Sequence, residues 1–305
     1  MTGGGGLRRT FSFPYPLDLG LTLAALRHGL GDPTISLTRE GAWRAMRTSM
    51  GPATLRLVPN GRAEGLTVTA WGPGSEAALG SVPALLGADD DPAAFRPEHP
   101  LLARLHRRFA GLRIGRTGAI FEALLPAIIE QKVAGAEARR SFRALVRRHG
   151  EDAPGPGGLR LAPTAATLAE LPSYAFHPLG IEQRRAETIR RAAARAERLE
   201  EAASMTSEGG LRRLTAIPGI GPWTAAEALR VAAGDPDLVS LGDYHLPSLV
   251  AWALVGEARA DDKRMLELLE PYRGQRGRVV RLLEASGIQA PRFGPRMALR
   301  SISGL

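Results

Sequence analysis

The sequence predicts an α+β protein in which a small antiparallel-sheet domain precedes a helical body. Within residues 1–88, Leu66, Val68 and Ala70 alternate with threonines, and such period-two runs bounded by Gly and Pro are typical of half-buried strands. After residue 93 the apolar residues recur at helical spacing instead. The length of 305 residues also agrees with about two domains.

The N-terminal domain is predicted to contain several short strands and two helices. Phe11, Phe13 and Tyr15 alternate as in a strand, and residues 17–28 predict a short helix. Further strands are expected at Ile35/Leu37, Leu55/Leu57 and 66–70, followed by a helix over 75–86. The segment 88–92, Ala-Asp-Asp-Asp-Pro, predicts an acidic joint between the two domains.

The helical body is predicted over residues 93–290. Apolar pairs recur every four residues at 120–121, 124–125 and 128–129, which indicates a deeply buried helix. A milder stripe runs through Ala186, Ile189, Ala193 and Ala196, and residues 151–158 predict a Pro/Gly loop between helices. Residues 291–305 show little periodicity and predict a loose tail.

Composition excludes several classes of site and favours a polyanionic partner. The absence of cysteine excludes disulfides, cysteine-ligated zinc and iron–sulfur clusters. No apolar run approaches the roughly 18 residues that span a bilayer, and Asp18 interrupts the only leader-like stretch, so we expect a cytoplasmic, nucleoid-associated protein. The net charge of +9 favours nucleic acid, although nearly all the basic residues are Arg, as a GC-rich genome would produce.

The most informative segment is a predicted glycine hairpin between two helices at residues 214–227. Pro218 and Gly219 end one helix, and Pro222 is a favourable first residue for the next. Backbone N–H groups at the start of the second helix would be free to bind an anion such as a phosphate. A plain helix–helix turn is the alternative, but Ile217 and Ile220 have the spacing to pack the hairpin.

One carboxylate follows the hairpin by about twenty residues. Asp243 precedes an apolar helical pattern that starts at Leu246, so on its own it predicts a helix N-cap. Asp235 and Asp237 lie nearby in a Gly/Pro loop. The pairing of hairpin and Asp243 resembles the HhH-GPD superfamily of helix-hairpin-helix DNA glycosylases, in particular the bacterial 3-methyladenine (alkylpurine) DNA glycosylase II family. The resemblance extends over about residues 10–290.

The resemblance implies a monofunctional DNA glycosylase that acts in base-excision repair on double-stranded DNA with damaged bases. Asp243 falls at the family's catalytic aspartate, and residues 130–133 (Glu-Gln-Lys-Val) resemble its DNA-facing Gln loop. Base release requires the nucleotide to be flipped out of the duplex. An ionised carboxylate would then stabilise the oxocarbenium-like sugar and orient the attacking water. The expected DNA contacts are Pro218, Gly219, Ile220, Gly221, Thr224, Gln131 and Lys132.

The nucleophile is expected to be water. Some relatives use a lysine just after the hairpin as an amine nucleophile and also cut the strand, but Trp223 occupies that position here. The only lysines are Lys132 and Lys263, neither at that site, so we expect no strand nicking. Lys132 is unusual as a wedge for the gap left by the base; it could instead neutralise a phosphate or lie on a solvated helix end.

The expected base pocket departs from the family. Trp223 and Tyr244 are candidates for an aromatic wall that binds a cationic alkylated base, with helix packing as the alternative for Trp223. Glu227 and Arg281 replace expected aromatics, which leaves bulkier or differently modified purines open as substrates.

The resemblance also implies a monomer with no redox cofactor and no catalytic metal. The family's hairpin commonly binds a monovalent cation, and the matching carbonyls belong to Thr215, Ile217 and Ile220. Two rival functions stay open at this point. One is a non-catalytic helix-hairpin-helix protein that senses lesions, and the other is an oxidised-purine glycosylase.

Overall fold

The computed structural model describes residues 5–61 and 65–291, so all of the predicted tail except Pro291 lies outside the described residues. Its N-terminal part is a five-stranded antiparallel sheet in the order β1-β5-β4-β3-β2. The elements are β1 (Leu7–Ser12), α1 (Leu19–Leu23), β2 (Ile35–Thr38), β3 (Gly41–Thr48), β4 (Gly51–Pro59), β5 (Gly65–Trp71) and α2 (Ser75–Leu85).

The alternating residues form the strands that the sequence predicts. Along β5, Leu66, Val68 and Ala70 are buried while their threonine neighbours are partly exposed. The α2 helix packs on this inner face through Leu79 and Val82, so sheet and helix share one core. The predicted strand from Phe11 ends earlier, because β1 stops at Ser12.

The remainder of the described chain is mainly helical. Its helices are α3 (Pro100–Arg108), α4 (Ile120–Ile129), α5 (Gly135–His149), α6 (Ala165–Glu170), α7 (Gln183–Ala193), α8 (Ala196–Glu200), α9 (Ser207–Thr215), α10 (Pro222–Ala232), α11 (Leu246–Val255), α12 (Asp262–Leu269) and α13 (Arg276–Ser286). Short 3₁₀ segments cover Ala24–Leu26, Pro92–Ala94, Ser173–Leu179, Glu201–Ser204 and Glu270–Tyr272. Within the described ranges, no helix is long and apolar enough to cross a bilayer.

These helices surround two separate hydrophobic clusters. One is built on α4, α5, α7, α9 and α10, and the other on α3, α11, α12 and α13. The hairpin between α9 and α10 belongs to the first cluster, whereas Asp243 precedes α11 in the second. The tertiary fold therefore decides whether the two predicted parts of the site meet.

Two local features differ from the sequence expectation. The predicted loop after α5 contains a small hairpin of β6 (Glu151–Asp152) and β7 (Arg160–Leu161). Strands of two residues are too short to show a period-two pattern, and this pair is held by packing of Leu161 against Ala45 of β3. The stripe from Ala186 to Ala196 is divided between α7 and α8.

The acidic joint is a packed segment and not a free linker. The side chains of Asp90 and Arg278 are each 1% exposed and form an ion pair that ties the joint to α13. The second carboxylate oxygen of Asp90 accepts from the amide of Ile114 at 3.0 Å. A carboxylate buried with a matched cation and an amide donor is satisfied, whereas either charge alone would be costly there.

Candidate active site

The predicted hairpin is present between α9 and α10. Pro222 is the first residue of α10, with Gly221 as its extended N-cap. Ile217 and Ile220 are buried in the first helical cluster, and Ala225 on the following turn is fully buried. The apolar packing predicted for the hairpin is therefore confirmed, and the side chains of Ile217 and Ile220 anchor the turn in the first helical cluster.

The two hairpin glycines meet different constraints. Gly219 has a φ of +100°, and a Cβ atom there would lie 2.2 Å from Oγ1 of Thr188, so the chain's own packing requires glycine. Gly221 has a φ of −91°, and a Cβ atom there would meet nothing within 4 Å. Within the described chain, no acceptor is recorded for the amides of Gly219 and Gly221. The start of α10 thus presents unpaired N–H groups beside open space, as anion binding requires.

Gln131, two residues after the end of α4, forms hydrogen bonds with the hairpin. Its Nε2 donates to the carbonyl oxygen of Gly219 at 2.9 Å and to Oγ1 of Thr224 at 2.8 Å. Thr224 is buried, and its hydroxyl accepts from Gln131, so its side chain serves the packing of the hairpin. Lys132 is exposed and has a φ of +55°, which turns the chain sharply after Gln131. Gln131 therefore attaches this loop to the hairpin, while the DNA contact expected for Gln131 and Lys132 stays a prediction.

Asp243 caps the helix that it precedes. Its Oδ1 accepts from the amides of His245 and Leu246, at 2.7 and 2.8 Å, at the start of α11. The N-cap position itself is His245, so Asp243 satisfies these amides from two residues before the N-cap. The preceding residue, Gly242, has a φ of +85° and donates its amide to Oδ2 of Asp262 at 2.8 Å, which attaches the loop to α12.

The hairpin and Asp243 meet through one side-chain contact. Nε1 of Trp223 donates to Oδ2 of Asp243 at 3.0 Å, across the junction of the two helical clusters. Both side chains are partly exposed, so the carboxylate lies at the surface beside the hairpin. Residues separated by twenty positions are thereby placed in one site.

The other proposed pocket aromatic has a different environment. Tyr244 is 87% exposed, and its ring packs edge-on against the adjacent His245 at a centroid distance of 4.9 Å. Tyr244 thus does not enclose a pocket with Trp223 in this structure. Its role as a pocket wall therefore stays a prediction.

Glu227 belongs to a charge network one turn beyond Trp223. Its Oε1 accepts from Nη1 of Arg230 at 3.1 Å and from the hydroxyl of Ser240 at 2.5 Å. Arg230 also pairs with Glu284 at 3.0 Å. Burial lowers the pKa of Arg230, but the two flanking carboxylates outweigh it and raise this pKa overall, so Arg230 is firmly charged.

Arg281 joins the same network from α13 and does not contact Trp223 or Asp243. Its Nη2 donates to the carbonyl oxygen of Leu21 at 3.3 Å, and Nη1 lies 3.8 Å from Glu284. Burial, with a further contribution from the positive charge of Arg230, lowers the pKa of Arg281 to about 10. Arg281 thus attaches α13 to the N-terminal domain. It is linked to Glu227 through Glu284 and Arg230.

A cavity of about 540 Å³ lies between the sheet and α4 and extends to Glu227 and Arg230. This volume is within the range of ligand pockets in proteins. An ion pair of 2.7 Å between Arg44 on β3 and Glu122 on α4 crosses its wall. Sequence reasoning missed this cavity; its one signal is the charged Arg44 between inward-facing Ala42 and Met46.

The carbonyls proposed for a monovalent cation lie at the end of α9 and in the turn. The carbonyl of Thr215 belongs to the last turn, where helical geometry provides no following amide, and that of Ile217 accepts from Ile220 at 3.0 Å. Neutral oxygens of this kind suit a hard cation, so the site stays a prediction. In the described residues, no group of three or more acidic or histidine side chains is placed to hold a metal.

Comparison with known proteins finds helix-hairpin-helix DNA glycosylases. No family model matches the chain. A Bacillus subtilis protein, YfjP, provisionally named a DNA-3-methyladenine glycosylase, is 27% identical over 182 residues, which span 56% of this chain and 61% of the relative. The chain thus covers less than two thirds of that relative's length.

Two solved structures share the architecture. A 3-methyladenine DNA glycosylase from Archaeoglobus fulgidus superposes with a TM-score of 0.74 and 19% identity, over 90% of this chain and 97% of that one. An 8-oxoguanine glycosylase/lyase from Clostridium acetobutylicum, in complex with double-stranded DNA, gives a TM-score of 0.63 at 16% identity, over 85% and 100% of the two chains. The resemblance predicted from the hairpin and Asp243 is confirmed: this chain has the α+β fold of the helix-hairpin-helix DNA glycosylases.

Proposed function

We propose that this chain is a DNA N-glycosylase that extrudes alkylated purines from double-stranded DNA and removes them by hydrolysis. The observation that carries the proposal is the 3.0 Å hydrogen bond between Trp223 and Asp243. It places a carboxylate beside a hairpin whose free amides suit a phosphate. The names and shared fold of the relatives support the same reading.

In the proposed mechanism, the hairpin holds the DNA strand and Asp243 acts on the extruded nucleotide. The amides of Gly219 and Gly221, with the N-terminus of α10, would bind a phosphate next to the lesion. The carboxylate of Asp243 would face C1′, stabilise the positive charge that develops on the sugar and orient a water for attack. The base leaves with the bonding electrons of the N-glycosyl bond, and the water loses a proton as it adds to C1′.

The nucleophile is proposed to be water because no amine occupies the expected position. The residue that follows the hairpin is Trp223, which donates to Asp243. Lys132 and Lys263 are exposed at the end of α4 and on α12. Treatment with borohydride on DNA containing an abasic site is expected to trap no covalent adduct; a robust lysine adduct would contradict a monofunctional mechanism.

The proposed substrate class rests on the surroundings of Trp223. A cationic alkylpurine would be attracted to the indole face of Trp223. Glu227 and Arg281 occupy positions where the resemblance implies pocket aromatics, so the base site differs from that of a simple 3-methyladenine glycosylase. We therefore propose a range of alkylated purines and not 3-methyladenine alone.

The decisive test is base release from alkylated genomic DNA, measured by mass spectrometry for the wild type and Asp243→Asn. We expect the variant to lose at least about a hundredfold in rate. Asp152→Asn, which changes an exposed carboxylate on the β6–β7 hairpin, should match the wild type. An unchanged rate in Asp243→Asn would refute the mechanism.

Two further outcomes would assign a rival function. DNA binding with no release of any base would identify a lesion-sensing protein. Release of 8-oxoguanine without release of methylated purines would identify an oxidised-purine glycosylase, the activity named for one structural neighbour.

A further inference from the structure

We infer that Trp223 is a positioning residue, whose indole N–H holds the carboxylate of Asp243 in its reactive orientation. The inference rests on the proposed function and deepens it. This role differs from that of an aromatic wall for the base. A wall would contact the base with the face of the indole ring, whereas the positioning role uses the N–H on the ring edge.

The hydrogen bonds of Asp243 come from two sources. Oδ1 accepts from the amides of His245 and Leu246, which belong to the same loop and would engage any aspartate that caps α11. Oδ2 accepts from Trp223, which reaches across from α10. In the described chain, the indole is the one recorded partner of Asp243 from outside its own loop. It therefore sets the rotation of the carboxylate plane relative to the hairpin.

That rotation matters for the proposed reaction. When only Oδ1 is held, combined small rotations about the two side-chain bonds of Asp243 can keep Oδ1 near its amides while Oδ2 changes direction. A second donor of fixed position removes this freedom, and hydrogen bonds to an ionised acceptor are stronger than neutral ones. Since small displacements of a reacting group are costly, orientation of Oδ2 toward the sugar should contribute to rate rather than to DNA affinity.

The geometry also allows Trp223 to perform both roles. The indole N–H lies in the ring plane, so its donation to Asp243 leaves the ring faces free. Gly242 lies beside Trp223, because a Cβ atom added at Gly242 would be 3.9 Å from Cβ of Trp223. The amide of Gly242 donates to Asp262 on α12. The loop that carries Asp243 is thus restrained on both sides of the carboxylate.

The test replaces Trp223 site-specifically by β-(3-benzothienyl)alanine, which keeps the fused aromatic rings but has sulfur in place of N–H. We expect the single-turnover rate of base release to fall by about tenfold to hundredfold. The Kd for DNA containing a tetrahydrofuran abasic analogue should stay within about twofold of wild type. The same replacement at Trp252, on α11 and away from Asp243, is the matched control.

A rate within about twofold of wild type, or a loss confined to the Kd, would overturn the inference. If the replacement prevents folding, the nitrogen–proton NMR signal of the Trp223 indole provides a second test. It should move in Asp243→Ala while the Trp252 signal stays, and an unmoved Trp223 signal would overturn the inference. Failure of the wild type to release any base would instead contradict the proposed function.

Discussion

The ion pair between Asp90 and Arg278 provides the strongest stability prediction, because both side chains are only 1% exposed. Replacing Asp90 by Ala leaves the guanidinium of Arg278 buried with Gln275 as its remaining side-chain partner, at 2.6 Å. Removal of one member of a buried pair costs about 3–5 kcal/mol. The amide of Ile114 also loses its acceptor, so we expect a loss at the upper part of that range.

The measurement is the free energy of unfolding in urea, followed by tryptophan fluorescence, for Asp90→Ala and two comparison variants. Glu208→Ala breaks an exposed pair with Arg212, whose side chains are 80% and 70% exposed, and should cost less than about 1 kcal/mol. Asp90→Ala combined with Arg278→Met removes both charges and should lose less than Asp90→Ala alone. A loss below about 1 kcal/mol in Asp90→Ala would refute the argument from burial.

Two further predictions separate structural from functional roles near the hairpin. Burial alone would raise the pKa of Asp237, but its bonds to Arg276 lower this pKa overall. The ionised carboxylate therefore stabilises the folded state at pH values above the pKa of Asp237 in the unfolded chain. This stabilisation is lost as the pH falls through the lower pKa of the folded state. Asp237→Asn should therefore destabilise the protein at pH 7, and its difference from wild type in urea unfolding should shrink in acid; a constant difference would contradict this. Gly219→Ala should lower the free energy of unfolding by about 1–3 kcal/mol because the added Cβ clashes with Thr188. Gly221→Ala should have the wild-type free energy of unfolding but a higher Kd for DNA, because its added Cβ enters open space. Equal free energies of unfolding for the two variants would contradict the first expectation, and an unchanged Kd for Gly221→Ala would contradict the second.

Much of the local structure could be predicted because local chemistry determines it. Alternation of Leu66, Val68 and Ala70 is sufficient to orient a strand toward its core. Glycine is favoured where φ is positive, as at Gly219. An aspartate before an apolar helix accepts hydrogen bonds from the amides at the start of that helix, as Asp243 does. These features depend on residues within a few positions of one another.

The pocket predictions were less informative because they concern distant partners. Glu227 and Arg281 were expected in the base pocket in place of aromatics, and the structure engages each in a network that includes Arg230 and Glu284. Arg281 also reaches Leu21, which no spacing rule relates to α13. Helical periodicity indicates which face of an element is polar, but it does not name the opposing element.

By itself, the sequence determined the sheet followed by helices, the glycine hairpin and a carboxylate at the start of α11. Only the tertiary structure decided that Nε1 of Trp223 meets Oδ2 of Asp243, and that the acidic joint is closed by Arg278. The physical reason is that apolar periodicity, turn formation and helix capping depend on near neighbours in the chain. The meeting of two helical clusters instead depends on the summed packing of all their buried surfaces.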